Sequence, residues 1–222
     1  MSVSLRGVRF SYPRGFALDA LDFTLGDRER VALVGPSGSG KTTVLNLISG
    51  LLQPDAGSVR VAETELSALS DAQRRGWRAQ NIGFIFQDFA LLDYLTAREN
   101  ILYPYRIAAE LRLDAAARAR ADALAQACCL GDKLGQRPGA LSQGEQQRVA
   151  ICRALVTEPK LLLADEATGN LDPANKTLIL DLLFERAAAA GAALLAVTHD
   201  HELLPRFDRV VDFAAFRADA AS

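Results

Sequence analysis

Near the N-terminus apolar and polar positions alternate: Val8 and Phe10 stand among polar neighbours, and Phe23 and Leu25 do the same before the turn Gly26-Asp27. A period of two predicts short half-buried strands. The run Val31-Ala32-Leu33-Val34 is different, because it is apolar throughout, too short for a helix and followed by glycine. Such a run predicts a parallel strand buried on both faces. A Gly-rich turn follows, then a helix from about Lys41 to Ser49 that Gly50 stops. A second strand is expected from Ile82 to Phe86, ending at Gln87. From about Asp88 to Thr157 the pattern turns helical. Asp114 is placed to cap a helix reaching about Cys129, with Leu124 and Cys128 on one face. Pro138-Gly139 breaks the chain before a helix from about Gln143 to Val156. A third buried strand is expected from Leu161 to Ala164, a helix from about Ala174 to Ala190, and a fourth strand from Ala193 to Val197. Strands alternating with helices predict an α/β fold whose parallel sheet is covered on both faces, with the middle helical block inserted into it.

Composition narrows the classes. The chain has 222 residues, half of them hydrophobic and 23% charged, which suits one large domain or two small ones with a sizeable core. Its net charge of −2 gives no electrostatic case for nucleic acid as a partner. No segment approaches the roughly 20 apolar residues of a membrane-spanning helix, and the start Met1-Ser2-Val3-Ser4-Leu5-Arg6 does not read as a secretory signal. The cysteines, Cys128, Cys129 and Cys152, are odd in number and include no Cys-x-x-Cys pair. They are expected to be small helix residues in a reducing compartment rather than metal ligands.

Gly35-Pro36-Ser37-Gly38-Ser39-Gly40-Lys41-Thr42 fits G-x-x-x-x-G-K-[ST], between a predicted strand and a predicted helix. Its glycines let backbone N–H groups face phosphate oxygens, and the helix N-terminus adds partial positive charge. Lys41 is placed to reach the β- and γ-phosphates of a nucleotide, and the Thr42 hydroxyl to ligate Mg²⁺. Leu161-Leu162-Leu163-Ala164 delivers Asp165 and Glu166 at the carboxyl end of a strand, where open α/β sheets bind ligands. Asp165 is expected to hold Mg²⁺, and Glu166 to orient or deprotonate an attacking water. His199, just past the last strand, is expected to touch the γ-phosphate. Leu141-Ser142-Gln143-Gly144-Glu145 carries an S-x-x-E capping box, which marks a helix start, and Gly144 permits close approach of a ligand to the backbone. A well-capped helix accounts for that stretch as well. Donors so far along the chain from the phosphate loop are more easily used in trans, on nucleotide held by a second copy in a head-to-tail dimer.

Taken in order, these motifs resemble the nucleotide-binding ATPase subunit of ATP-binding cassette (ABC) transporters over nearly the whole chain. In that resemblance Gly35 to Thr42, with Thr43 beside them, is the Walker A loop and Gln87 the Q-loop glutamine, a catalytic and metal-contacting position. Leu141 to Glu145 is the signature motif, Leu161 to Asp165 is Walker B, and Glu166 is the catalytic glutamate. Gly169-Asn170-Leu171-Asp172 is the D-loop, whose Asp172 lies at the nucleotide interface, and His199 is the switch histidine. Tyr12 resembles the aromatic that stacks on adenine, with Phe10 and Phe16 as competitors and core packing as the alternative for all three.

The resemblance implies a RecA-like phosphate-loop core over 1–87 and 157–222, with an antiparallel β part at its N-terminus and a helical signature lobe over 88–156. It implies ATP and Mg²⁺ as ligands and a homodimer closed on two nucleotides. The partner it implies is an integral membrane permease, met through about Asp88 to Asn100 on exposed Phe89, Leu91, Leu92 and Leu95 if these are not buried in the helical lobe. The implied location is the cytoplasmic face of the inner membrane. Ala164 to Asp172, Phe86 to Leu92 and Leu95 to Asn100 look most like the lipoprotein-releasing, macrolide-exporting and cell-division group, which transmits motion to an envelope partner. Transport and non-transport signalling are both compatible with that group. Ala167 stands where the family has proline, and Gln143 where it often has glycine. The stretch Arg209 to Phe213 lacks the family's Asp-Gly turn. About twenty residues follow His199, so no regulatory C-terminal domain is expected. A DNA- or ribosome-directed ABC ATPase is disfavoured by the absence of coiled-coil insertions and basic patches. A small-metabolite kinase is disfavoured because it leaves the signature stretch unexplained.

Overall fold

The computed structural model describes residues 2–13, 15–167 and 173–213. In chain order the elements are β1 (Val3–Ser11), β2 (Ala17–Leu25), β3 (Arg30–Val34), α1 (Lys41–Ile48), β4 (Ala56–Val61), β5 (Thr64–Glu65), α2 (Asp71–Asn81) and β6 (Ile82–Ile85). Then come α3 (Ala97–Ile101), α4 (Pro104–Ile107), α5 (Ala115–Ala127), α6 (Gln143–Leu155), β7 (Leu161–Asp165), α7 (Pro173–Ala190), β8 (Ala193–Val197) and β9 (Arg209–Asp212). A parallel sheet has the order β6-β7-β8-β3-β9, and an antiparallel one the order β2-β1-β4-β5.

The uninterrupted apolar runs serve two cores at once. Leu162, Ala164, Leu194, Ala196, Ala32 and Ile85 face one side of the parallel sheet, packing with α5, α6 and α7. Their chain neighbours Leu161, Leu163, Leu195, Val31 and Leu33 face the other side, packing with α1 and the antiparallel sheet. Side chains alternate along a strand, so a strand covered on both faces must be apolar at every position. Against β6 the packing is tight enough to demand glycine: a Cβ on Gly83 would lie 2.2 Å from the Ala154 carbonyl oxygen of α6.

The structure corrects several sequence expectations. The segment after Gln87 is not helical. Residues 88–96 form turns, with Phe89 and Ala90 at positive φ, and helix begins only at Ala97. Helix α2 was not expected, although Ser70 and Gln73 form a capping box at its start. The short strands β4, β5 and β9 were also missed. β9 occupies the stretch that lacks the family's Asp-Gly turn. It pairs in parallel with β3, Arg30 reaches Asp208, Arg209 reaches Glu29 at 2.7 Å, and Phe213 is fully buried behind it. These ion pairs are exposed enough to contribute at most about 1 kcal/mol each, while burying the phenylalanine contributes about 1.5–3 kcal/mol.

Candidate functional site

Strand order assembles the site. The phosphate loop leaves the carboxyl end of β3, Asp165 and Glu166 that of β7, and His199 that of β8, which lies between them. Gln87 follows β6, on the other side of β7. The register sets Ile85 level with Ala164 and Asp165 level with Val197, so all four chain ends emerge at one height. Side chains from separate strands converge there as the fold class requires.

Within the loop, Gly35, Gly38 and Gly40 have φ of +147°, +74° and +103°. Gly40 is also hemmed in, because a Cβ there would sit 2.1 Å from Phe16 Cζ. Lys41 is 5% exposed, and its Nζ donates to the carbonyls of Gly35 at 2.9 Å and Pro36 at 2.8 Å. Burial lowers its pKa, opposed by the carboxylates of Glu166 and Asp165. The Ser39 hydroxyl is buried without a hydrogen-bond partner, a donor suited to an anion in the loop. Pro36, Ser37 and Thr42 complete the turn into α1. Thr43, buried on α1, has its hydroxyl 3.4 Å from Tyr12 Oη.

At the strand ends Glu166 is the hub. Gln87 Nε2 donates to its Oε2 at 3.0 Å, and His199 Nε2 lies 2.7 Å from its Oε1. Its φ of +48°, unusual for a residue with a Cβ, turns it away from the path of β7, while its N–H bonds the Val197 carbonyl at 3.1 Å. Asp165 is 6% exposed; burial raises its pKa, opposed chiefly by a hydrogen bond with Thr42. A raised carboxyl pKa means the folded state holds its proton longer than the unfolded chain does. Stability therefore falls as pH rises from the ordinary carboxylate range through the raised value. Asp165→Asn is accordingly expected to raise the melting temperature of the nucleotide-free protein at neutral pH. The gain should vanish below the ordinary carboxylate range. Melting curves across pH check both, and an unchanged melting temperature at neutral pH would contradict the burial argument.

The remaining expected residues lie elsewhere or divide. Ser142, Gln143, Gly144 and Glu145 start α6, where the Ser142 hydroxyl accepts from the Glu145 N–H and Glu145 accepts from the Ser142 N–H at 2.8 Å. Glu145 also faces Lys133. Of the aromatics, Phe10 is core, Phe16 packs on Gly40, and Tyr12 is 39% exposed beside α1. Asp172, like the rest of 168–172, lies outside the described residues. Of the four apolar residues offered to a permease unless buried in the helical lobe, Phe89 is buried, and Leu91, Leu92 and Leu95 are half-buried. Tyr94, Ile107 and Leu51 are the exposed apolar side chains nearby.

Two positioning residues were missed. Arg153 of α6 donates to the carbonyls of Phe89 and Ala90, tying the turn after Gln87 to the helix that starts at Ser142. Burial pulls its guanidinium down to about 10. Asn100, fully buried, accepts from the Leu92 N–H and donates to the carbonyls of Leu92, Leu95 and Thr96. The sequence carried a signal for the first, a charge inside the run Val149 to Leu155, since a buried charge is the informative exception.

A glycine-rich loop and helix N-terminus facing two strand-end carboxylates, a glutamine and a histidine define a phosphate-loop nucleoside triphosphatase. A family model described as ABC transporter matches residues 18–169. The lipoprotein-releasing system ATP-binding protein LolD of Cereibacter sphaeroides is 44% identical over 218 residues, 96% of each chain. Its namesake in Pseudomonas fluorescens is 44% identical over 213 residues, 94% of this chain and 93% of the other. The ATP-binding cassette MJ0796, solved as a dimer in a post-hydrolysis state with ADP and Pi, superposes with a TM-score of 0.86 at 33% identity, covering 95% of this chain and 93% of that one. The chain belongs to the ABC transporter family, as an ATP-binding and ATP-hydrolysing subunit.

Proposed function

We propose that this subunit powers a lipoprotein-releasing transporter, docked to an integral membrane permease on the cytoplasmic face of the inner membrane. The 44% identity to LolD across 96% of both chains carries that reading. Among the described residues no helix is long and apolar enough to cross a membrane, so attachment runs through the permease. A cleft of about 530 Å³ beside β6 suits a short permease segment. It is lined by Phe84, Phe86, Leu92, Tyr103 and Ile107, with Arg75, Arg78 and Glu110 also contributing. Arg153 also lines this cleft and holds the turn after Gln87, so movement there would reach the ATP site and, through the permease, an envelope partner.

Two copies close head to tail on two ATP molecules. Lys41, Ser39 and the N–H groups of Gly35 to Thr43 hold the phosphates, and Tyr12 packs on the adenine. Ser142, Gln143, Gly144 and Glu145 of each copy face the γ-phosphate bound by the other, with Asp172 at the same interface. Thr42 and Asp165, joined by a hydrogen bond, together with Gln87, fit Mg²⁺, which takes few protein ligands and keeps water and phosphate oxygens. When bound, Mg²⁺ supplies positive charge that offsets the charge of the transferring phosphoryl group. Glu166 polarises the attacking water, and Gln87 and His199 hold its carboxylate in place.

Affinity purification of the tagged chain from detergent-solubilised membranes tests the assignment. The expected result is co-purification of an integral membrane permease of the lipoprotein-releasing type. Recovery of ribosomal proteins or nucleic acid in its place would remove the chain from transport.

A further inference from the structure

The helical lobe holds a pair of thiols that ATP hydrolysis does not use. Cys128, at the C-terminal end of α5, and Cys152, in the last turn of α6, are 2% and 0% exposed, and their Sγ atoms lie 3.3 Å apart. A disulfide needs about 2.05 Å, so the two sulfurs have only about 1.2 Å to close. The charges of Arg148 and Arg186 act on both thiols, opposed at Cys128 by Glu185, and both arginines have a buried Nε without a hydrogen-bond partner. A thiolate would meet positive charge there. Cys129 is exposed, next to the pair.

We propose that Cys128 and Cys152 are a peroxide-oxidisable dithiol, and that its closure to a disulfide clasps α5 to α6 and slows ATP turnover. Hydrogen bonding from Cys152, with help from the arginines, lowers the Cys128 pKa against its burial, while the same contact and burial push Cys152 up. Cys128, 2% exposed at the end of its helix where Cys152 is fully buried inside α6, is the sulfur that peroxide reaches first and so the attacking one. Its thiolate attacks one oxygen of hydrogen peroxide, the O–O bond breaks, and hydroxide leaves and takes up a proton as water. Cys152 sulfur then attacks the sulfenic Sγ of Cys128. The S–S bond forms, the S–O bond breaks, and the departing hydroxide takes the Cys152 proton as a second water. Two protein thiols lose two electrons and two protons, and one peroxide becomes two waters. Peroxide is close to water in size, which suits a buried pair.

The effect on turnover rests on the proposed action of the Ser142 turn on the partner's nucleotide. Cys152 lies on the helix that begins at that turn, and a displacement of about 1 Å at a positioning element lowers a rate by up to about 10²-fold.

The test uses the Cys129→Ser protein, which keeps the buried pair and removes the exposed thiol, with hydrogen peroxide as the probe. Peptide mapping is expected to show Cys128 joined to Cys152, with the chain lighter by two hydrogen atoms. ATP turnover should fall several-fold in step with the bond and recover in dithiothreitol. In Cys152→Ala protein, dimedone should trap a sulfenic acid on Cys128. If peroxide levels that oxidise Cys129 in the unsubstituted protein leave the pair reduced, or carry it to sulfinic acid without a disulfide, the site is overturned. A disulfide with unchanged turnover overturns the regulatory half, provided reduced Glu166→Gln protein still pairs on ATP. Failure of that reduced control to pair strikes instead at the proposed action in trans.

Discussion

Glu166→Gln is expected to leave ATP bound while steady-state phosphate release falls by at least about 10²-fold, the low end for losing a general base. The amide is nearly the same size as the carboxylate, and its oxygen can still accept from Gln87 Nε2, so the contact that now measures 3.0 Å need not break. What the amide lacks is a basic oxygen for the proton of the attacking water. On the proposed reading, nucleotide affinity depends on other atoms, those of the phosphate loop and Lys41, whose ammonium lies on the Gly35 and Pro36 carbonyls. Equilibrium binding of a fluorescent ATP analogue and a phosphate-release assay separate the two quantities. Turnover equal to that of the unsubstituted protein would take Glu166 out of the chemistry and leave its positive φ without a purpose. Loss of nucleotide binding would instead mean that the Gln87–Glu166–His199 chain supports the loop itself.

The parts of this site that were legible in the sequence are those fixed locally. A glycine-rich loop between an apolar run and a helix can do little else, and Asp165 and Glu166 announce themselves by ending an apolar strand. Parallel strands buried on both faces are read directly, because every position is constrained. The turn after Gln87 was misread for the opposite reason. Phe89, Leu91, Leu92 and Leu95 are apolar, but what holds them is Asn100 from α3 and Arg153 from α6, the latter more than sixty residues away. No local pattern encodes those bonds. Strand β9 was missed because its support is not local: it pairs with β3 near the other end of the chain, where Arg30 also reaches Asp208 just before the strand. Helix α2 was missed although its capping box was readable, because most of its residues are polar and only Arg74 and Gly76 are buried. The redox pair could not have been seen at all: Cys128 and Cys152 are 24 residues apart and meet only because α5 packs on α6.

The head-to-tail arrangement is put at risk by one glycine. Gly144 is the second residue of α6, in the first turn after Ser142, and it is half-buried. Leucine there improves helix propensity by somewhat under about 1 kcal/mol, and the Ser142–Glu145 capping box is untouched, so the monomer is expected to fold and to bind ATP as before. The added side chain would stand where the partner's γ-phosphate must approach the backbone. Forcing such a group into a packed contact costs about 1–3 kcal/mol, and two-fold symmetry places two such contacts in each pair. In a Glu166→Gln background, where hydrolysis does not reopen the pair, ATP should shift light scattering from monomer to dimer. With Gly144→Leu added, the mass should stay monomeric at ATP concentrations that saturate binding. If the double variant pairs as readily as Glu166→Gln alone, the start of α6 faces no partner, and the Ser142 capping box is only a helix start. Ser142→Ala distinguishes those roles further: loss of a cap alone lowers stability by about 1 kcal/mol and leaves pairing intact, whereas a contact across the interface weakens pairing as well.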